Sequence, residues 1–90
     1  MSRKRKTDEF CKRCGRYGPT ERHHLIHGSG RRQLAEEDGL VLELCHACHM
    51  YVHDNPMEDR RLQAFGQEMW VQKFGGTDEV FRRRYGKSYR

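Results

Sequence analysis

The chain has 90 residues, enough for one domain with a modest core. Hydrophobic residues make up 34% and mean hydropathy is −1.10, so no membrane span is expected and burial is thin enough to call for a staple such as a metal. The net charge is +5 with a pI of about 9.3, and it is unevenly spread: residues 1–22 hold eight Lys/Arg against three acids, residues 80–90 hold five and no acid, and residues 34–59 hold seven acids and no Lys or Arg.

Basic ends around an acidic middle suit a polyanion such as nucleic acid, with the middle facing elsewhere or holding a cation. Residues 1–9 read as a disordered basic arm, with Arg3, Lys4, Arg5 and Lys6 as candidate phosphate contacts. No apolar run follows this basic start, so no signal peptide is read and the cytosol is the expected compartment. Cys11-Lys-Arg-Cys14-Gly15 has the form of a metal-binding knuckle. Gly18-Pro19 reads as punctuation. A short strand is expected at His24–Ile26 and a second at Leu40–Leu44, joined by a long loop with a helical turn near Leu34–Glu37. From Cys45 the pattern turns helical. Asn55 as N-cap, Pro56 at the first helical position and Glu58 in a capping box start a further helix. Leu62, Phe65 and Met69 form one stripe of it, with Trp70 and Phe74 beside them, and the stripe is expected in the core. Gly75-Gly76 ends that helix, and Thr77 caps a last one with acids in its first turn and arginines toward its end. The architecture expected is α+β: a core over 10–54 and a C-terminal helical extension over 55–90 that packs on it.

Two C-x2-C pairs, Cys11/Cys14 and Cys45/Cys48, supply four soft ligands, the set that tetrahedral zinc prefers. In a reducing cytosol such pairs favour metal over disulfides. This site reads as a structural zinc. His49 and His53 stand i, i+4 on one helical face and can share one cation. His23 and His24, at the start of the expected strand, can approach the same point. Adjacent strand residues point to opposite faces, so both reach it only if the backbone twists or bulges there; otherwise one of the two is supporting or structural, and His24 is the one kept. His46 can replace a cysteine ligand and His27 can serve as a further ligand or phosphate contact, but both read first as surface residues.

On CKRC, RHHLIHG, the apolar run GLVLEL and LCHACHMYVH, the chain resembles the HNH endonucleases. The resemblance covers about Phe10 to Asp54. The loop GSGRR and the end FRRRYGKSY look similar to small phage-type HNH proteins. The resemblance implies a ββα-metal, treble-clef-like core with a structural four-cysteine zinc, and hydrolysis of DNA phosphodiester bonds with one catalytic divalent metal (Mg2+, Mn2+, Ni2+ or Zn2+). Carried over, His24 is the general base and His53, His49 and His23 are ligands of the catalytic metal. Products carry 5′-phosphate and 3′-hydroxyl ends. Arg31 and Arg32 are placed to hold flanking phosphates of double-stranded DNA. The central Asn of the family is missing. Asp38 or Gly39 occupies its region, and of the two only Asp38 can brace a loop. The alternatives are a non-catalytic zinc module that binds DNA, or an accessory factor in phage DNA packaging that meets packaging proteins or itself; host cytoplasm is the expected setting for a phage protein.

Overall fold

A computed structural model describes residues 7–28 and 30–90. Its elements are strands β1 (Thr7–Phe10) and β2 (Tyr17–His24), helix α1 (Arg31–Asp38), strand β3 (Val41–Leu44), and helices α2 (His46–Asp54), α3 (Pro56–Phe74) and α4 (Asp78–Tyr85). The strands form one antiparallel sheet in the order β1-β2-β3. Residues 17–20 of β2 pair with β1 and residues 21–24 pair with β3, which sets His23 opposite Leu42 and His24 opposite Val41. The fold is a small α+β domain.

Several elements differ from the sequence expectation. The arm does not extend through residue 9, because Thr7–Phe10 form β1; Arg3, Lys4, Arg5 and Lys6 lie outside the described residues. Gly18 and Pro19 do not break the chain but sit inside β2, opposite Glu9 and Asp8. A proline forfeits only its own N–H, which a short ladder tolerates where that donor is not needed. The expected strand His24–Ile26 only overlaps the end of β2: the strand closes at His24, one more backbone bond runs from Leu25 N to Leu40 O at 2.9 Å, and Leu25 and Ile26 are fully buried. The loop after them carries a complete helix rather than one turn. Gly39 closes that helix in the left-handed region at φ 75°, its N–H reaching the carbonyls of Ala35 and Glu36. The capping box does not form. Asn55 does stand at the N-cap of α3, its carbonyl accepting from Asp59 N at 3.0 Å, with Pro56 opening the helix, but its side chain does not cap: Nδ2 donates to Tyr51 O of α2 at 2.9 Å, and Glu58 pairs with Arg61 and Arg13. Thr77 does cap α4, accepting from Val80 N at 3.2 Å.

The main core is Leu25, Ile26, Ala35, Leu40, Trp70, Phe81 and Tyr85. A second cluster, Cys11, Leu44, Cys48 and Val52, lies at the cysteine end, and Leu42 and Leu62 pack against both. Phe81 stacks on Tyr85 with ring centroids 4.4 Å apart and meets Trp70 edge-on at 5.5 Å, and these rings of α3 and α4 share one buried cluster with Leu25, Ile26, Ala35 and Leu40. Of the predicted α3 stripe, Trp70 is buried and Leu62 and Met69 partly so. Phe65 and Phe74 are about half exposed, because the core side of α3 is narrower than the apolar stripe. Gly66 makes the closest approach of α3 to the Leu25–Ile26 turn: a Cβ there would stand 2.9 Å from Leu25 Cβ.

One carboxylate binds the helices together. Asp38, at the end of α1 and 8% exposed, accepts from Trp70 Nε1 (2.9 Å), Arg84 Nε (2.7 Å), Arg84 Nη2 (2.9 Å) and Tyr85 Oη (2.7 Å). Burial works to raise its pKa, but the hydrogen bonds from Arg84, Tyr85 and Trp70 outweigh that and hold it below the usual aspartate value.

Candidate metal centres and the adjoining cleft

The β1–β2 turn carries Cys11 and Cys14, and the start of α2 carries Cys45 and Cys48. The four sulfurs all lie within 4.8 Å of one another, and none is in a disulfide. Sulfurs about 2.3 Å from a tetrahedral zinc stand roughly 3.8 Å apart; Cys14 Sγ and Cys45 Sγ are 3.8 Å apart. The turn conformation aims N–H groups at sulfur: Arg13 N and Cys14 N each lie 3.4 Å from Cys11 Sγ. Burial works to raise the Cys11 thiol, yet these and other backbone hydrogen bonds bring it down to about 6. At the opposite corner burial pushes Cys48 up to about 12, with the neighbouring sulfurs adding to the rise. Four thiolates at this spacing repel one another, and one divalent cation among them removes the conflict. The four cysteines can therefore hold a structural metal such as zinc. Arg13 flanks the cluster, with Nη1 3.7 Å from Cys48 Sγ and its guanidinium 4.1 Å over the Tyr51 ring.

His23, His49 and His53 form a second cluster, each offering a ring nitrogen within 4.8 Å of the others. His49 and His53 come from one face of α2 and His23 from the facing residue of β2. His23 is 4% exposed, and its Nε2 is buried with no hydrogen-bond partner. An orphaned buried acceptor costs free energy, and a cation between the three rings would satisfy it. Burial, with the charge on His49 adding to it, pulls His23 down to about 4, so the ring is neutral at physiological pH, as a metal ligand must be. Glu21 Oε1 lies 2.8 Å from His49 Nδ1, which leaves Nε2 of that ring for coordination. The other Glu21 oxygen lies 2.9 Å from His46 Nδ1. The residues present fit a divalent cation at this point.

The backbone at His23-His24 does not twist to bring both rings together. His24 points to the opposite face of β2, away from the three-histidine cluster, and its Nε2 lies 2.8 Å from Glu36 Oε1 of α1. It borders an open cleft of about 530 Å³ together with Gly28, Gly30, Arg32, Gln33, Glu36 and Glu37. The Glu36 carboxyl is held below its usual range, first by the hydrogen bond with His24 and further by Arg22. Arg32 is exposed and lines this cleft, whereas Arg31 is half-buried and its Nε donates to Tyr85 O at 2.8 Å. Arg31 thus holds α1 against α4, and the two arginines, alike in sequence, have different work. His27 Nε2 meets the Asp59 carboxylate at 3.0 and 3.1 Å.

Glu21, Glu36 and Arg13 were not singled out from sequence. Glu21 had a usable signal, since it stands two residues before His23 and so shares its strand face. Glu36 had none, because its role depends on a helix in the loop. Comparison of the chain with protein-family models, with curated proteins and with solved structures returns no match. Among the described residues no helix is long and apolar enough to cross a membrane.

Proposed function

We infer that this protein hydrolyses phosphodiester bonds in double-stranded DNA with a divalent metal, in the manner of the HNH endonucleases it resembles. The observation that carries the reading is the split of adjacent histidines: His23 turns with His49 and His53 toward one point, and His24 turns to a cleft where a carboxylate holds it. Strand alternation keeps His24 out of the ligand set, so the base is not consumed as a metal ligand. His23, His49 and His53 would hold the cation, which would supply Lewis acidity for the negative charge that develops during hydrolysis. His24 takes a proton from water: the water O–H bond breaks, an N–H bond forms on the imidazole, and the oxygen's electron pair forms the new bond to phosphorus. The P–O3′ bond breaks and its electron pair leaves with the 3′ oxygen, which is protonated from solvent. Arg32, exposed at the cleft, contacts the phosphate backbone. Asp38 braces α1 where the family's missing Asn would be expected, though it does so through α3 and α4.

The test is plasmid nicking in Mg2+, Mn2+, Ni2+ or Zn2+ by the zinc-loaded protein. Nicking is expected to need the divalent ion and to be lost in His24→Ala and His53→Ala. Nicking that persists both in EDTA and in His24→Ala would refute the mechanism. Binding of DNA with no nicking in any metal would favour the non-catalytic zinc module.

A further inference from the structure

Arg22 and His24 stand two residues apart on β2, so strand alternation sends both to the face opposite His23. Both end on one carboxylate. Glu36 Oε1 is 2.8 Å from His24 Nε2, and Glu36 Oε2 is 2.5 Å from Arg22 Nη1. Arg22 is tethered from the sheet as well, its Nε lying 3.7 Å from Glu43 Oε2. Helix α1, which carries Glu36, is fixed by Arg31 on Tyr85 O and by Asp38 on Trp70, Arg84 and Tyr85. The His24 side chain is only 13% exposed, so the ring is not free to turn.

A neutral imidazole has one N–H and one lone pair, and the partner at one nitrogen decides which is which. An ionised carboxylate only accepts. Placed at Nε2 it selects the N–H there and leaves the lone pair on Nδ1. Arg22 holds the second carboxylate oxygen and keeps the first turned to the ring. We propose that Arg22 and Glu36 form a positioning relay that fixes His24 as its Nε2–H tautomer and makes Nδ1 the atom that accepts the proton. The proposal rests on the hydrolytic role of His24 and supplies the reacting nitrogen for it. Glu36 and Arg22 are positioning residues; neither touches the substrate.

The decisive variant is Glu36→Gln. Its amide oxygen stays on Arg22, which can only donate, so its NH2 group turns to His24 Nε2. That nitrogen must then accept, and the ring proton moves to Nδ1, where the lone pair was needed. Nitrogen-15 NMR of the zinc-loaded protein, above the usual histidine titration range, is expected to show His24 protonated on Nε2 in the wild type and on Nδ1 in Glu36→Gln. In nicking assays kcat should fall by about 100-fold or more with KM unchanged, the scale of general-base catalysis. Glu36→Gln should add no loss to His24→Ala. Arg22→Ala combined with Glu36→Gln frees the amide to turn over, and should restore the Nε2–H tautomer and part of kcat. An Nε2–H tautomer retained in Glu36→Gln overturns the relay, whatever the activity. A wild-type protein that nicks DNA in no metal overturns the hydrolytic reading instead, and the NMR result still decides the tautomer.

Discussion

Removing the Asp38 carboxylate tests how the helices are held to the core. In Asp38→Ala four hydrogen bonds disappear, from Trp70 Nε1, Tyr85 Oη and two Arg84 nitrogens. Trp70 and Tyr85 are 6% and 2% exposed, so their polar hydrogens are left without partners out of reach of water. Breaking one side of a buried ion pair typically costs about 3–5 kcal/mol. The Arg84 side chain is 36% exposed and recovers hydration, which places the expected loss at the lower end, about 3 kcal/mol. For a domain of this size that corresponds to a fall in Tm of roughly 12–24 °C. Urea denaturation of the zinc-loaded protein measures it as a lower midpoint at unchanged slope. The pH dependence has a definite sign. The folded pKa of Asp38 is depressed, so its contribution is full above about pH 4, the unfolded aspartate value, and drains away as pH falls through the lower folded value. The gap between wild type and Asp38→Ala should close over that acid range. A loss below about 1 kcal/mol at neutral pH, the size of an ordinary exposed contact, would refute the brace.

Chelating the structural metal, or Cys48→Ser, should abolish the near-UV circular dichroism signal and the cooperative melt; a metal-free protein that still melts cooperatively would show that the cysteines do not staple the fold. Metal analysis should find two divalent ions per wild-type chain and one in His53→Ala, with the cysteine-bound ion retained. Arg32→Ala should weaken DNA binding evenly across sequences and lower the salt slope by about one, with no change in Tm. Arg31→Ala should instead cost about 1 kcal/mol of stability, because its charged group holds the Tyr85 carbonyl. Gly66→Ala should destabilise by roughly 1–3 kcal/mol in denaturant melts, since a Cβ there meets Leu25 and neither element can retreat.

Residue spacing made the cysteine cluster and the pairing of His49 with His53 legible, because chelate pairs and an i, i+4 helical pair carry their geometry with them, but it left open whether His23 or His24 joins them. Strand alternation raised the question of whether His23 and His24 could share a face, and the fold answers that they do not. Three things were not legible. Glu36 depends on a full helix in a loop where one turn was expected. Asn55 and Glu58 fit a capping box by type, but Tyr51 O and Arg61 compete for them. The charge of the C-terminal segment overstated its freedom: Arg84 is engaged with Asp38 and Glu37, and Arg90 with Asp78 and Glu68. Local composition reports which groups are present, and tertiary contacts decide which remain available.

Helix α2 contributes to both clusters, with Cys48 and His49 consecutive and Cys45 at its start. An ion at the cysteines therefore sets the rotation and position of the helix that presents His49 and His53. If both clusters take ions, the shared helix couples them, and filling the thiolate cluster would favour filling the imidazole cluster. By reciprocity, an ion among the imidazoles would tighten the hold on one among the thiolates to the same degree. An empty cysteine cluster would then leave His49 and His53 without a fixed frame even where ions for them are plentiful.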